Sequence, residues 1–114
     1  MTDIVSLGDD LLFFSRIRAE AEAAGRKAWQ ARDLASLRAR LADLSVGLVL
    51  LDLDVAEAGA VISACPAGVS VVAYGPHVDA ARLRSAREAG CARVMPRSQF
   101  VAELSGIVSA EKSC

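Results

Sequence analysis

The stretch Leu48-Val49-Leu50-Leu51-Asp52-Leu53-Asp54 restricts this chain more than any other: four consecutive aliphatic residues run into a carboxylate, and a second carboxylate follows two residues later. A strand with one wet face alternates apolar and polar residues. A strand that is apolar at every position is covered on both faces, as in the interior of a parallel sheet flanked by helices. Open sheets of that kind gather ligands beyond the carboxyl ends of their strands. A second run, Ile4-Val5-Ser6-Leu7, is followed by Asp9-Asp10. If the two strand ends are neighbours, three or four carboxylates meet in one small acidic pocket.

Strand and helix patterns alternate along the rest of the chain. After a first strand at Ile4–Leu7, apolar residues at Leu11, Phe14, Ile17, Ala21 and Ala24 have helical spacing, and Gly25 stands where that helix should end. Lys27–Gln30 is a short strand with polar ends, which suits a sheet edge and makes Trp29 an edge or core filler. Asp33 can cap a helix through Leu34, Leu37, Leu41 and Leu44. Val46–Leu51 is the central strand, and a short helix over Val55–Cys65 is stopped by Pro66. Val69–Tyr74 ends in the turn Gly75-Pro76, Asp79–Ala89 is a helix closed by Gly90, and Arg93–Met95 is a last strand broken at Pro96. Ser98 is then expected to cap a final helix carrying Phe100, Val101, Leu104 and Val108. The expected fold is α/β: a five-stranded doubly wound parallel sheet of flavodoxin-like type, strand order 2-1-3-4-5. That order sets the first and third strand ends side by side.

With 114 residues the chain has room for one domain, residues 1–114. A net charge of −1 gives no electrostatic case for nucleic acid or an anionic membrane, and the arginines are expected on solvated helix faces. No apolar run is long enough to span a bilayer, and Asp3 ahead of the first strand leaves no basic secretory leader, so a cytoplasmic location is expected. Cys65, Cys91 and Cys114 form no Cys-x-x-Cys pair and have only His77 to assist them, which reads as reduced thiols rather than a metal site. His77 itself reads as a solvated loop residue.

Over nearly its whole length the sequence resembles the CheY-like receiver domains of bacterial response regulators, in two-component phosphorelays. The resemblance implies that Asp9 and Asp10 are the acidic pair that binds Mg²⁺, that Asp52 is the phosphoacceptor, and that Asp54 helps to coordinate the metal through its backbone carbonyl. It also implies phosphate-pocket positions at Gly75 and Arg97, and here the chain departs from the pattern. Gly75 stands where receivers have a switching Thr or Ser, and Pro76 stiffens the loop. Arg97-Ser98 replaces Lys-Pro, Val94 replaces a switching aromatic, and the Met-Pro pair after the phosphoacceptor is missing. Such a chain looks like a degenerate receiver, or pseudo-receiver.

The expected function is a stand-alone receiver-like signalling module with no output domain and no enzymatic activity of its own. It would act on another protein, a histidine kinase or an effector, with a homodimer as a further option. Val94, Phe100 and Val101 are the expected partner surface. The competing reading is a Mg²⁺-dependent phosphohydrolase or toprim-like enzyme built on Asp52-Leu53-Asp54, since an Asp-x-Asp at a strand end also serves those families.

Overall fold

In the computed structural model, which describes residues 2–76 and 78–109, strands and helices alternate without exception. They are β1 (Asp3–Leu7), α1 (Leu11–Ala23), β2 (Ala28–Ala31), α2 (Leu34–Asp43), β3 (Val46–Asp52), α3 (Ala58–Ala64), β4 (Ser70–Gly75), α4 (Ala80–Ala89), β5 (Arg93–Pro96) and α5 (Arg97–Ser109). The sheet is wholly parallel in the order β2-β1-β3-β4-β5, as expected from the sequence. His77 and Cys114, both weighed above, lie outside the described residues.

The continuous apolar run of β3 does what its composition requires. Val49 and Leu51 join Val5, Leu7, Leu37, Val61 and Leu83 under α2, α3 and α4. Leu48 and Leu50 point the other way, to Ile4, Ile17, Tyr74, Phe100 and Leu104 under α1 and α5. Each large side chain so buried contributes roughly 1.5–3 kcal/mol, so the two half-cores hold the strand ends in fixed register.

Local chemistry sets the helix ends. Asp10, Asp33 and Asp79 each accept a hydrogen bond from the backbone N–H three residues on, at 3.0, 2.8 and 3.1 Å. Gly90 closes α4 at φ 111°, a left-handed conformation that costs glycine little. Two expectations need correction. Ser98 is not a cap, because α5 already begins at Arg97, directly behind Pro96 at the end of β5. The third helix starts at Ala58 rather than Val55, since residues 53–57 are spent on a turn behind Asp52.

The arginines do not all lie on solvated faces. Arg26 is buried at 3 % exposure. Its guanidinium donates to the Val108 carbonyl at 2.8 Å, the Thr2 carbonyl at 3.1 Å and the Thr2 hydroxyl at 2.8 Å. The forked guanidinium satisfies three acceptors from two separate segments at once, which is why the charge can be buried. No helix among the described residues is long and apolar enough to cross a membrane.

Candidate functional site

The crevice at the carboxyl ends of β1 and β3 brings together Asp10, Asp52 and Arg97. Asp52 is the last residue of β3, and its carboxylate is buried at 5 % exposure. Its Oδ1 accepts the backbone N–H of Asp54 at 2.9 Å, a bond that closes the turn on itself. Its Oδ2 faces Arg97 Nη1 at 4.0 Å, and Asp10 Oδ2 lies 3.8 Å from Arg97 Nη2. These distances are too long for hydrogen bonds; the attraction acts on the buried Asp52 and is screened by water at the exposed Asp10.

Arg97 is held there by aromatic rings. Its guanidinium carbon sits 4.3 Å from the Phe13 ring centroid and 5.6 Å from that of Tyr74. Tyr74 in turn stacks on Phe100 at 4.3 Å and meets Phe13 at 5.3 Å. An arginine stacked on rings keeps its charge while shedding part of its hydration. The centre of the acidic crevice therefore carries a cation supplied by the chain itself.

Burial raises the pKa of Asp52 above the usual carboxylate range. The Asp54 N–H and Arg97 oppose that rise, while Asp54 and Asp9 add to it. Burial, followed by the Asp52 charge, pushes the Tyr74 phenol well above its ordinary range, so it stays protonated. Because Asp52 binds its proton more readily in the folded state, its ionised form lowers stability at neutral pH. The penalty is fully present above the folded pKa and disappears as pH falls through it towards the unfolded value. Asp52→Asn is accordingly expected to raise the urea midpoint at pH 7, with the gain shrinking on acidification. A gain that grew on acidification, or a loss at pH 7, would contradict this.

The carboxylates expected to hold Mg²⁺, those of Asp9, Asp10 and Asp52, are not gathered into one cluster. Among the described residues no three acidic, histidine or cysteine side chains converge on one point. Asp10 gives one oxygen to the cap of α1 and directs the other to Arg97, and Asp9 is exposed. Asp54 is turned outward into an ion pair with Arg82, which also contacts Asp79 at 3.1 Å. The pair Asp52 and Asp54, which an Asp-x-Asp phosphohydrolase needs together, thus engages two different arginines. As it stands, with Arg97 between Asp10 and Asp52, the donor set does not fit a Mg²⁺ ion that needs octahedral oxygens.

Two further sites differ from the sequence reading. A side chain at Gly75 would point at Leu53 and Leu83, 3.4–3.5 Å away, on the α3–α4 side of the sheet and not toward the Asp52 carboxylate. Strand alternation gives that place to Tyr74, which pairs with Asp52 across the sheet and sets its hydroxyl beside Gly8. Of the expected partner surface, Phe100 is wholly buried by its stack on Tyr74 and Val94 is nearly so. Only Val101 stays half-exposed, beside a cleft shared with Pro76, Pro96, Arg97 and Ser98. Tyr74 and Phe13 are the members the sequence reading missed; the pairing of β3 with β4 identifies the first. Cys65 and Cys91 are free, half-buried thiols whose pKa is raised by burial, which disfavours the reactive thiolate.

No family model matches this chain, and no curated protein matches it in sequence. Solved structures do match it. The receiver domain of NtrX from Brucella abortus superposes with a TM-score of 0.77 at 16% identity, over 96% of this chain and 100% of that one. A CheY-like protein (TadZ) from Pseudomonas aeruginosa gives 0.72 at 21% identity, over 100% and 98%. A response regulator of Burkholderia pseudomallei, solved with a phosphorylated aspartic acid, a calcium ion and citrate, gives 0.74 at 13% identity, over 96% and 69%. The chain has the CheY-like fold of response-regulator receiver domains.

Proposed function

We propose that residues 1–114 act as one receiver-like signalling unit whose output runs through another protein, with its state set by its own side chains rather than by phosphate on Asp52. The observation that carries this reading is Arg97, seated between Asp10 and Asp52 and stacked over Phe13. A receiver that takes phosphate must gather a divalent cation and three phosphoryl oxygens around its acceptor, because phosphoryl transfer depends on position and charge neutralisation. Here the neutralising charge is permanent and tethered. The place a switching hydroxyl would take beside Asp52 is filled by Tyr74, whose ring is fixed between Phe13 and Phe100. The module is a binding protein and not an enzyme, and its partner is a kinase-type or effector protein of the cytoplasm.

Incubation with acetyl phosphate and Mg²⁺, followed by intact mass measurement, tests the reading. The expected result is no phosphoryl-sized increase on this protein while a competent receiver in the same buffer gains one. An increase on the parent that vanishes in Asp52→Asn would overturn it.

A further inference from the structure

We infer that the open edge of the sheet at β2 is a docking site for an acidic, extended peptide segment of a partner protein, which adds to the sheet as a sixth strand. This goes beyond the function proposed above and stands whether or not Asp52 accepts phosphate, because it uses the opposite side of β1.

The backbone provides the template. β2 is an edge strand, paired only with β1. In a parallel ladder alternate residues turn both their N–H and C=O to the same neighbour. Lys27 and Ala31 give their carbonyls to Ile4 and Gly8 of the β1 side, at 2.9 Å each. Ala28 and Gln30 therefore present theirs to the open side. Among the described residues the one group set against them is Arg40, whose Nη2 touches the Gln30 carbonyl at 3.4 Å. That bond is at the long limit for a hydrogen bond.

The side chains choose the occupant. Clefts of about 430 and 610 Å³ flank the edge, one on the α1 face and one on the α2 face, and Trp29, Gln30 and Arg40 line both. Their charged walls are Arg18, Lys27, Arg32 and Arg40 against Glu22 and Asp43, and Glu22 is already paired with Arg18. In a chain with a net charge of −1, this edge is a basic strip. Arg40 lies 5.1 Å over the Trp29 ring, and the Trp29 Nε1–H is buried with no acceptor. A carboxylate arriving at the edge attracts Arg40 off the Trp29 ring and uncovers the Gln30 carbonyl. Main-chain bonds then supply affinity and alternate side chains fill the two clefts, as in other strand-addition complexes. A short, cation-guarded edge also resists indiscriminate pairing, so the acidic sequence is what admits a partner.

Trp29 is the sole tryptophan, so its fluorescence reports the site directly. The probes are a short peptide alternating valine and glutamate and a counterpart alternating valine and lysine. The expected result is a saturable change with the glutamate peptide, binding at least about tenfold tighter than the lysine peptide (~1.4 kcal/mol), and slowed amide exchange at Ala28 and Gln30. Ala28→Pro removes an outward N–H, which an edge strand tolerates, and should abolish binding with the circular dichroism unchanged. Should that variant misfold, Lys27→Glu with Arg40→Glu serves instead, and it should reverse the peptide preference. No fluorescence change, equal affinity for both peptides, or binding untouched by these variants would overturn the proposal. So would Ala28 and Gln30 amides that become protected with rising protein concentration alone, since a second copy would then own the edge.

Discussion

Phe100→Ala should cost about 3–5 kcal/mol of unfolding free energy, the range for a large buried aromatic cut back to a methyl group. Phe100 is fully buried, stacked on Tyr74 at 4.3 Å and 5.9 Å from Phe13. The cavity would open beneath the two rings that carry Arg97, so the damage reaches the acidic crevice as well as the core. Urea denaturation is the measurement, with an unchanged m-value showing that stability alone has moved. A loss below about 1 kcal/mol, within the range of ordinary surface substitutions and their scatter, would mean that Phe100 is not the core residue its helical spacing and its stack on Tyr74 indicate. Phe100→Leu should lose less, because most of the volume is kept.

Arg26→Met is expected to cost about 2–4 kcal/mol. Methionine replaces the apolar stem but donates nothing, so the Val108 carbonyl and both Thr2 acceptors lose their guanidinium partner. A buried acceptor left unsatisfied costs about 1–3 kcal/mol. Arg26→Lys should recover only part of this, since a single ammonium cannot span acceptors from the N-terminal segment and the end of α5 together. Paired urea curves of the two variants decide the matter. A fully stable Arg26→Met would show that these contacts are incidental, and a fully stable Arg26→Lys would show that charge matters more than the forked geometry.

Why Arg26 escaped the sequence reading is instructive. It stands alone between a helix-ending glycine and a weak strand, where no periodicity marks a residue as interior, and its acceptors come from Thr2 and Val108. Legibility tracked range. The apolar run of β3, the helical spacings and the capping aspartates are local signals, and they fixed the element order and the neighbourhood of Asp10 and Asp52. The facing of Gly75 and Tyr74 depends on how β3 and β4 align, so it could be read only from the sheet. Phe100 showed its helical spacing but not its stack on Tyr74. Ser98 looked like a cap because Ser is a good one, yet the helix already begins at Arg97. Of the acidic residues only Asp10 and Asp52 meet, and what lies between them is Arg97, a side chain from the start of α5, far away in sequence.

The parallel order of the strands has a kinetic side. Pairing β1 with β3 joins Ile4 to Leu48, whereas pairing β3 with β4 joins Leu48 to Ser70, roughly half the chain separation. A flexible loop costs about 0.6 kcal/mol more for each doubling of its length. The seam that brings Asp10 to Asp52 is thus the entropically harder one to close. The acidic crevice has no existence in any partly folded chain that lacks it, however complete the half built on β3, β4 and β5.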